Sequence, residues 1–374
     1  MRFTLSSSML NSRLQILSRV INSKSSISIL DCFLFDVKQN LLTITASDSE
    51  NVMQTTLSLD SSENEGCFAI PSRTILEAVK ELPEQPLIFD VNLNDMTIEV
   101  MYQNGRYKFT AQNGSEYPIA ESVANDATVI TIDSAQLSDS ISRSLFATAQ
   151  DELRPVMNGI YFDLTNECLT VVASDGHKLV RNKILTVKSD TPASFILPKK
   201  PATLLKSVLG RNEGEVTIKF HDRSAEIIYA DGSLSCRLIE GRYPNYNSVI
   251  PQNNPNQLTI DRKALIGALR RVLPFASESS QLVRFHLSNG NMELTSEDMD
   301  FATSAKENII CDYNGNVMDI GFKGSSLYEI LTNIDGDDIV MYLADPSRAG
   351  VIEPAMQSET DEILMLIMPM LLND

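Results

Sequence analysis

Three segments of the chain repeat one pattern at a nearly constant spacing, and this repeat limits the possible folds more than any other feature. Each segment has a short β-like stretch, a capping residue and an amphipathic helical pattern, and the presumed caps are Ser6, Asp133 and Asp261. Ser and Asp suit this position because their side-chain oxygens accept hydrogen bonds from free N–H groups of the first helical turn. The intervals between successive caps are almost equal, so the sequence predicts three copies of one module.

Two further pairs of landmarks keep the same period. Pro71 and Pro198 are separated by the same interval as Ser6 and Asp133. Each proline precedes a helical pattern, where proline fits the first turn because its missing N–H would have no partner. The Ser-Asp pairs that end at Asp48 and Asp175 are separated by this interval as well. Helical segments are predicted at 9–24, 71–82, 134–149, 198–211, 261–276 and 322–333.

Between the helical segments, apolar and polar residues alternate with a period of two, which is typical of antiparallel strands. We therefore predict an α+β fold of three repeated domains, 1–127, 128–252 and 253–374, each with two helices packed on antiparallel sheets. The polar stretch that begins at Pro251 predicts the second linker.

The segment 1–30 is open to two interpretations. It contains Arg2, Arg13, Arg19 and Lys24, much Ser and no acidic residue, which resembles an organelle transit peptide. The repeat assigns the same residues to the first module, so we predict a folded helix there.

The remaining composition indicates a cytoplasmic protein without cofactors. The five cysteines stand far apart, which indicates reduced thiols, and the three histidines are not clustered, so no metal site is expected. No stretch reaches the roughly 20 apolar residues that cross a bilayer. The longest apolar run, 363–372, predicts a buried strand.

The formal charge of −18 opposes nucleic-acid binding, but the charges are unevenly distributed. The six helical segments contain 15 basic and 5 acidic residues, a net charge of +10, and the rest of the chain carries −28. If the repeated helices share one face, that face attracts phosphates without regard to base sequence. The alternative is that these are solvated helix faces that serve solubility.

Four motifs identify a family resemblance: Asp151–Gly159, Val172–Leu179, Gly241–Tyr246 and Met368–Met370. With them, the chain resembles the bacterial DNA polymerase III beta subunit family of sliding clamps. The resemblance implies a DNA clamp fold in which each chain forms half of a pseudo-sixfold ring, closed by a head-to-tail homodimer around double-stranded DNA. It implies a processivity factor rather than an enzyme. The implied partners are the DNA polymerase III catalytic subunit, an ATP-driven clamp loader and other replication and repair proteins, with no membrane.

The resemblance also assigns candidate sites. The implied pocket for partner peptides, suited to varied apolar anchors because methionine adapts its shape, is Met157, Ser174, Gly176, His177, Lys178, Leu179, Pro244, Val249, Leu366, Met368, Pro369 and Met370. The implied DNA contacts are Lys24, Arg73, Arg154, Lys199 and Lys200, of which Arg154 fits either DNA or the pocket edge. Phe109 and Phe275 are implied at the subunit interface.

Two positions depart from the family pattern. Ser248 stands where the family often has an arginine beside the pocket, and Leu371 stands where a basic residue often follows Met-Pro-Met. These differences concern the choice of partner peptide rather than the ring.

Two other functions compete with a clamp. Ser174, Asp175 and His177 bring together the residue types of a hydrolase, although neighbours on one turn rarely form the Ser–His–Asp geometry. The second alternative is a repeat scaffold for proteins that does not bind DNA.

Overall fold

The computed structural model describes residues 1–22, 26–118, 123–124, 126–210 and 213–372, and the structural statements below concern these residues. The helices are α1 (Ser7–Leu17), α2 (Ser72–Lys80), α3 (Ser134–Leu145), α4 (Lys199–Leu209), α5 (Arg262–Val272) and α6 (Gly324–Asn333). The strands of the first repeat are β1 (Arg2–Ser6), β2 (Cys32–Lys38), β3 (Leu41–Ser47), β4 (Asn51–Ser58), β5 (Ser61–Ser62), β6 (Gly66–Pro71), β7 (Pro86–Asn92), β8 (Thr97–Tyr102), β9 (Gly105–Thr110) and β10 (Gln112–Asn113).

The second and third repeats follow the same order of strands and helices. The strands of the second repeat are β11 (Thr128–Asp133), β12 (Gly159–Leu164), β13 (Leu169–Ser174), β14 (Lys178–Ile184), β15 (Ala193–Pro198), β16 (Glu215–His221), β17 (Ser224–Tyr229) and β18 (Gly232–Arg237). Those of the third are β19 (Asn256–Asp261), β20 (Leu282–Ser288), β21 (Asn291–Asp298), β22 (Thr303–Ile310), β23 (Asp312–Tyr313), β24 (Met318–Lys323), β25 (Asp338–Leu343), β26 (Gly350–Pro354), β27 (Asp361–Ile367) and β28 (Pro369–Met370).

The three predicted caps begin helices as expected. Ser6 Oγ accepts from the N–H of Met9 at 3.1 Å, Asp133 accepts from the second and third residues after it, and Asp261 accepts from Ala264. The beginning of the chain is therefore a strand and a capped helix. All six predicted helices are present, each shorter than its predicted segment, and α1 begins two residues earlier than predicted. Pro71 was predicted in the first helical turn, but it is the N-cap residue of α2 and the last residue of β6.

The chain divides into two compact units that do not coincide with the three repeats. The first unit contains Met1–Ser138 and Lys200–Leu238, and the second contains Asp139–Lys199 and Ile239–Asp374. The central repeat is divided because its strands pair with those of the neighbouring repeats: β4 pairs with β18 in the first unit, and β14 pairs with β27 in the second. The exact boundaries of the three domains remain a prediction.

Each unit contains one five-stranded and one nine-stranded antiparallel sheet within the described residues. In the first unit the orders are β5-β1-β7-β8-β9 and β10-β6-β2-β3-β4-β18-β17-β16-β11. In the second unit they are β15-β12-β13-β14-β27-β26-β25-β19-β23 and β22-β21-β20-β24-β28. Helices α1 and α2 pack together in the first unit, as α5 and α6 do in the second.

The interior of each sheet follows the alternation seen in the sequence. In β20, for example, Val283, Phe285 and Leu287 are fully buried while the residues between them are partly exposed. The five cysteines are free thiols, four of them buried. Among the described helices, none is long and apolar enough to cross a membrane.

Candidate peptide pocket and nucleic-acid contacts

A tight turn between β13 and β14 forms one side of the predicted pocket in the second unit. Ser174 Oγ accepts from the N–H of Gly176 at 3.1 Å and donates to the carbonyl of Lys178 at 2.9 Å. Asp175 Oδ1 accepts from the N–H groups of His177 and Lys178 at 2.8 and 2.9 Å. Gly176 has a φ of +91°, a conformation that glycine adopts without steric cost. The Ser-Asp motif therefore shapes the backbone of this edge.

An apolar cluster forms the floor beside this turn. Leu179 of β14 lies opposite Leu366 of β27, and both are buried. The buried cluster around them consists of Val172, Leu179, Ile196, Tyr243, Ile250, Ala349, Val351, Leu364 and Leu366. Tyr161 stacks on Tyr243 with ring centroids 4.7 Å apart. A depression of about 460 Å³, lined in part by Val351 and Leu364, adjoins the cluster.

The C-terminal strand joins the turn to the floor. The N–H of Met368 donates to the carbonyl of His177 at 2.8 Å, and Pro369 and Met370 pair with β24. The prediction that 363–372 is one buried strand is correct only to Ile367, because Met368 is 40% exposed and Leu371 is 81% exposed. The exposed Met368 side chain adds adaptable apolar surface next to the floor.

Lys178 contributes to the structure in a different way from the other predicted pocket residues. Its side chain is largely buried, and its Nζ lies 3.0 Å from carboxylate oxygens of both Asp175 and Glu329 of α6. Burial alone would lower its pKa, but the hydrogen bonds to these two carboxylates raise the pKa of Lys178 above its ordinary value. Its ammonium group is thus directed to α6, and it fixes the turn on that helix.

The other predicted pocket residues come from two segments. Met157 is buried in a short 3-10 helix, Pro155–Asn158, while Pro244 and Val249 are exposed. A side-chain carbon at Gly176 would lie 3.0 Å from a guanidinium nitrogen of Arg154, so Arg154 lies at the edge of this turn. Its Nε also pairs with Asp151 at 2.9 Å.

Several residues of this site were not predicted from the sequence. Tyr161, Ile250 and Val351 belong to the cluster or pack against it, and no motif selected them. Val172 lies in the Val172–Leu179 motif and Leu364 in the apolar run 363–372, but neither was assigned to the pocket. Tyr243 and Tyr246 lie in the Gly241–Tyr246 motif, which was a usable signal. Tyr246 donates to Asp163 at 3.0 Å, and burial together with that carboxylate raises the pKa of Tyr246 to about 12.

The residues predicted to contact DNA differ in their exposure and in their hydrogen-bond and ion-pair partners. Lys24 lies outside the described residues. Arg73 is exposed on α2, with its Nε 3.2 Å from Glu77 one turn later. Lys199 begins α4, and Lys200 donates to the carbonyl of Val20 at 2.8 Å and pairs with Asp48. Although burial opposes it, the hydrogen bond from Lys200 lowers the pKa of Asp48.

The helices keep the excess of positive charge that the sequence predicts. Within their observed bounds they contain 11 basic and 3 acidic residues. Part of this charge is neutralised locally: Arg13 pairs with Asp231 and Arg143 with Asp335. Lys80, Lys206 and Arg270 are exposed. The bias in charge is therefore real, but smaller than the count over the predicted segments.

The two predicted interface residues differ in exposure. Phe109 of β9 is 7% exposed and faces the interior of its sheet, whereas Phe275, just after α5, is 40% exposed. Only Phe275 offers a large apolar surface to another chain.

The geometry of the Ser174–His177 turn does not favour a hydrolase. Ser174 Oγ and the Asp175 carboxylate bond to the backbone of their own turn, as described above, instead of forming a Ser–His–Asp relay. Among the described residues, no group of three or more His, Cys, Asp or Glu side chains is arranged to hold a metal ion.

Comparison with known proteins identifies the family. The family models for the N-terminal, central and C-terminal domains of the DNA polymerase III beta subunit match residues 1–121, 131–245 and 247–371. The chain belongs to the DNA polymerase III beta subunit family. This membership confirms the predicted resemblance and the predicted three-domain DNA clamp fold.

Individual members of this family match over their whole length. The beta sliding clamp of Pseudomonas aeruginosa is 25% identical over 371 residues, which cover 99% of this chain and 100% of the relative. A crystal structure of the P. aeruginosa sliding clamp bound to griselimycin is 24% identical, with a TM-score of 0.93 and complete coverage of both chains. The DNA polymerase III beta subunit of Thermotoga maritima is 25% identical, with a TM-score of 0.89 and complete coverage of both. With these relatives, the predicted function of a DNA sliding clamp is confirmed.

Proposed function

We propose that two copies of this chain close head to tail into a ring around double-stranded DNA and hold the polymerase through the pocket of the second unit. The observation that carries the proposal is the pairing of strands between repeats. In each nine-stranded sheet, the third strand after the first helix of one repeat pairs with the third strand after the second helix of the next: β4 with β18, and β14 with β27. The same rule leaves β22 of the third repeat to pair with β9 of another copy.

Both of these strands are edges. β9 ends one five-stranded sheet of the described residues, and β22 ends the other. An edge strand presents unpaired N–H and C=O groups that another strand can satisfy. Joining β22 of each copy to β9 of the other gives a closed dimer of six modules, with symmetry that limits growth.

Charge and apolar surface at the two edges are complementary. β9 presents the exposed basic residues Arg106 and Lys108. The segment from Glu297 to Glu307 at the β22 edge carries four acidic residues and one basic residue. Apolar side chains near β22 are unusually exposed: Phe275, Met299, Phe301 and Ile310. Burial of these side chains favours association, and the opposite charges set its direction.

The bias in helix charge supports a sequence-independent contact with duplex phosphates, for which we propose Lys24, Arg73, Lys199 and Lys200. The position of Arg154 beside Gly176 favours a role at the pocket edge. Weak contacts of this type permit sliding because no base is read. Retention on DNA then depends on ring closure rather than on affinity.

The pocket supports binding of short partner peptides that have apolar anchors. Its fixed floor and exposed Met368 combine a preformed site with an adaptable rim. We propose that the catalytic subunit of DNA polymerase III, the clamp loader and other replication and repair proteins use it in the cytoplasm, and that the chain itself has no catalytic activity.

The test compares circular with linear DNA. We expect the protein to elute as a dimer of about twice 41.4 kDa and, after loading, to stay on nicked circular DNA but leave linear DNA through its ends. The double variant Arg106→Glu, Lys108→Glu should elute as a monomer and be lost from the circle, because the charge at β9 is reversed. Lys188→Glu, an exposed charge reversal outside the helices and away from β9, is the control. Equal retention of the wild-type protein on unblocked linear DNA would refute topological linkage.

A further inference from the structure

The first unit contains a second copy of the turn that shapes the peptide pocket. Between β3 and β4, Ser47 Oγ accepts from the N–H of Ser49 at 3.1 Å, and Asp48 Oδ1 accepts from the N–H groups of Glu50 and Asn51 at 3.0 and 2.7 Å. Ser49 has a φ of +82°, close to that of its counterpart Gly176. The backbone hydrogen bonds are those of the Ser174–Lys178 turn, one repeat later in the chain.

The surroundings of this turn repeat as well. Val52 lies opposite Ser235 in β18, as Leu179 lies opposite Leu366 in β27. A buried tyrosine followed by a proline contacts the serine of each turn: Tyr117-Pro118 at Ser47 in the first unit and Tyr243-Pro244 at Ser174 in the second. The first unit therefore has the backbone frame of a peptide pocket.

A groove of about 620 Å³ occupies this place in the first unit. Its lining residues are Ile27, Ser47, Ser49, Glu50, Val52, Pro118, Val123, Arg223, Ser224, Ala225, Ser235, Cys236 and Arg237.

The side chains differ from those of the second unit where a ligand would meet them. Ser235 stands in the strand position of Leu366, and Arg237, two residues later, stands in that of Met368. Arg223 stands beside Ser224, which lies opposite Arg237 in the sheet. Both arginines are exposed, and Glu50 is the one acidic residue in the lining. The charged side chains of the groove are thus predominantly basic, on a chain with a formal charge of −18.

We propose that this groove binds an extended acidic peptide segment of a partner protein. The planar guanidinium groups of Arg223 and Arg237 match carboxylates in a two-pronged geometry. With Ser235 and Arg237 in the positions of Leu366 and Met368, the groove lacks two of the apolar side chains that would hold a large apolar anchor. Two arginines and one glutamate are too few charges for the many phosphate contacts on which nucleic-acid affinity depends.

The binding test uses the full-length protein and a fluorescein-labelled peptide of alternating Asp and Ser. About eight residues suffice, since they span roughly 25 Å when extended. We expect saturable binding at low salt that weakens as salt rises, and no comparable binding of the same peptide with Asn in place of Asp. Equal binding of the Asn peptide would overturn the proposal, because carboxylate recognition would then be absent.

Variants locate the site. Replacement of both arginines, Arg223→Ser with Arg237→Ser, should raise the Kd of the acidic peptide at least about tenfold, as expected when two charge-assisted contacts are lost. Arg2→Ser, which removes an exposed arginine of the same unit outside the groove, should leave the Kd within about twofold. Thermal unfolding of each variant checks that the fold is retained. Unchanged binding by the folded double variant would overturn the assignment.

Two further measurements separate this proposal from the others. The Met368→Ala variant damages the pocket of the second unit, so acidic-peptide binding by this variant shows that the two sites are distinct, whatever the fate of the proposed ring. A short duplex DNA that displaces the acidic peptide and depends on Arg223 and Arg237 would assign the groove to nucleic acid and refute a peptide ligand.

Discussion

The Ser47–Val52 turn of the first unit and the Ser174–Leu179 turn of the second share a backbone and differ in chemistry. In both, a serine and an aspartate hold the same N–H groups, and in both the third residue has a positive φ. Around the first turn lie Ser235 and Arg237, and around the second lie Leu366 and Met368. The same few hydrogen bonds thus give both repeats the same turn backbone. The side chains on the strand opposite each turn determine what can bind there.

Removal of the turn aspartates, Asp48 in the first unit and Asp175 in the second, should have the largest effect on the free energy of unfolding. The loss should be greater for Asp48. The Asp48 side chain is 8% exposed, and it also binds Lys200 and the amide of Asn51. Asp48→Ala should lower the free energy of unfolding by about 3 kcal/mol, because buried donors lose their acceptor. Asp175→Ala, at a more exposed carboxylate, should cost about 2 kcal/mol. Urea titration measures both, and the exposed control Asp60→Ala should stay within about 0.5 kcal/mol. Equal losses for Asp60 and Asp48 would contradict this account.

Acid should weaken both turns. Burial would raise the pKa of each aspartate, but hydrogen bonds from the backbone and from Lys200 or Lys178 lower the pKa of Asp48 and of Asp175. A lowered folded-state pKa contributes stability above the unfolded value of about 3.9, and this stability is lost as the pH falls through the folded value. We expect Tm to fall steeply below about pH 4, and to fall less steeply in the Asp48→Asn, Asp175→Asn double variant. Parallel profiles for the two proteins would show that other carboxylates dominate.

Two glycines near the second turn should tolerate substitution to different degrees. Gly241 has a φ of +128°, and an added Cβ would lie 2.8 Å from Val156, so Gly241→Ala should cost about 2 kcal/mol. Gly176→Ser should cost only about 1 kcal/mol, since Ser49 adopts the same conformation and the nearest atom belongs to the flexible Arg154 side chain. Thermal unfolding of the two variants ranks their stabilities. A larger loss for Gly176→Ser than for Gly241→Ala would show that the backbone at Gly176 differs from that at Ser49.

The smallest effects concern binding at the pocket. With a labelled short peptide that carries apolar anchors as the probe, Met368→Ala should weaken binding about fivefold through loss of an exposed apolar contact. Lys178→Met should change it less than about twofold, because the Lys178 ammonium pairs with Asp175 and Glu329. Isothermal titration provides both values. A larger effect of Lys178→Met would show that this side chain reaches the ligand.

Much of the fold was predictable because its signals are local. The caps Ser6, Asp133 and Asp261 act on N–H groups of the helical turn that follows each of them, so their spacing located the helices without knowledge of the rest of the chain. The candidate site was only partly predictable. The motif residues of the Ser174–Leu179 turn lie beside Met368, whereas Val351 joins the cluster without any signal in the sequence.

The sequence by itself determined the three modules, their six capped helices and the excess of basic residues on those helices. Tertiary structure alone decided that Lys178 pairs with Glu329, that Arg154 lies beside Gly176, and that one copy of the Ser-Asp turn faces leucine and methionine while the other faces serine and arginine. The physical reason is distance along the chain. Helical periodicity and caps act within a turn or two of helix, but the strands that complete each Ser-Asp turn come from the following repeat, and their register determines which side chains meet.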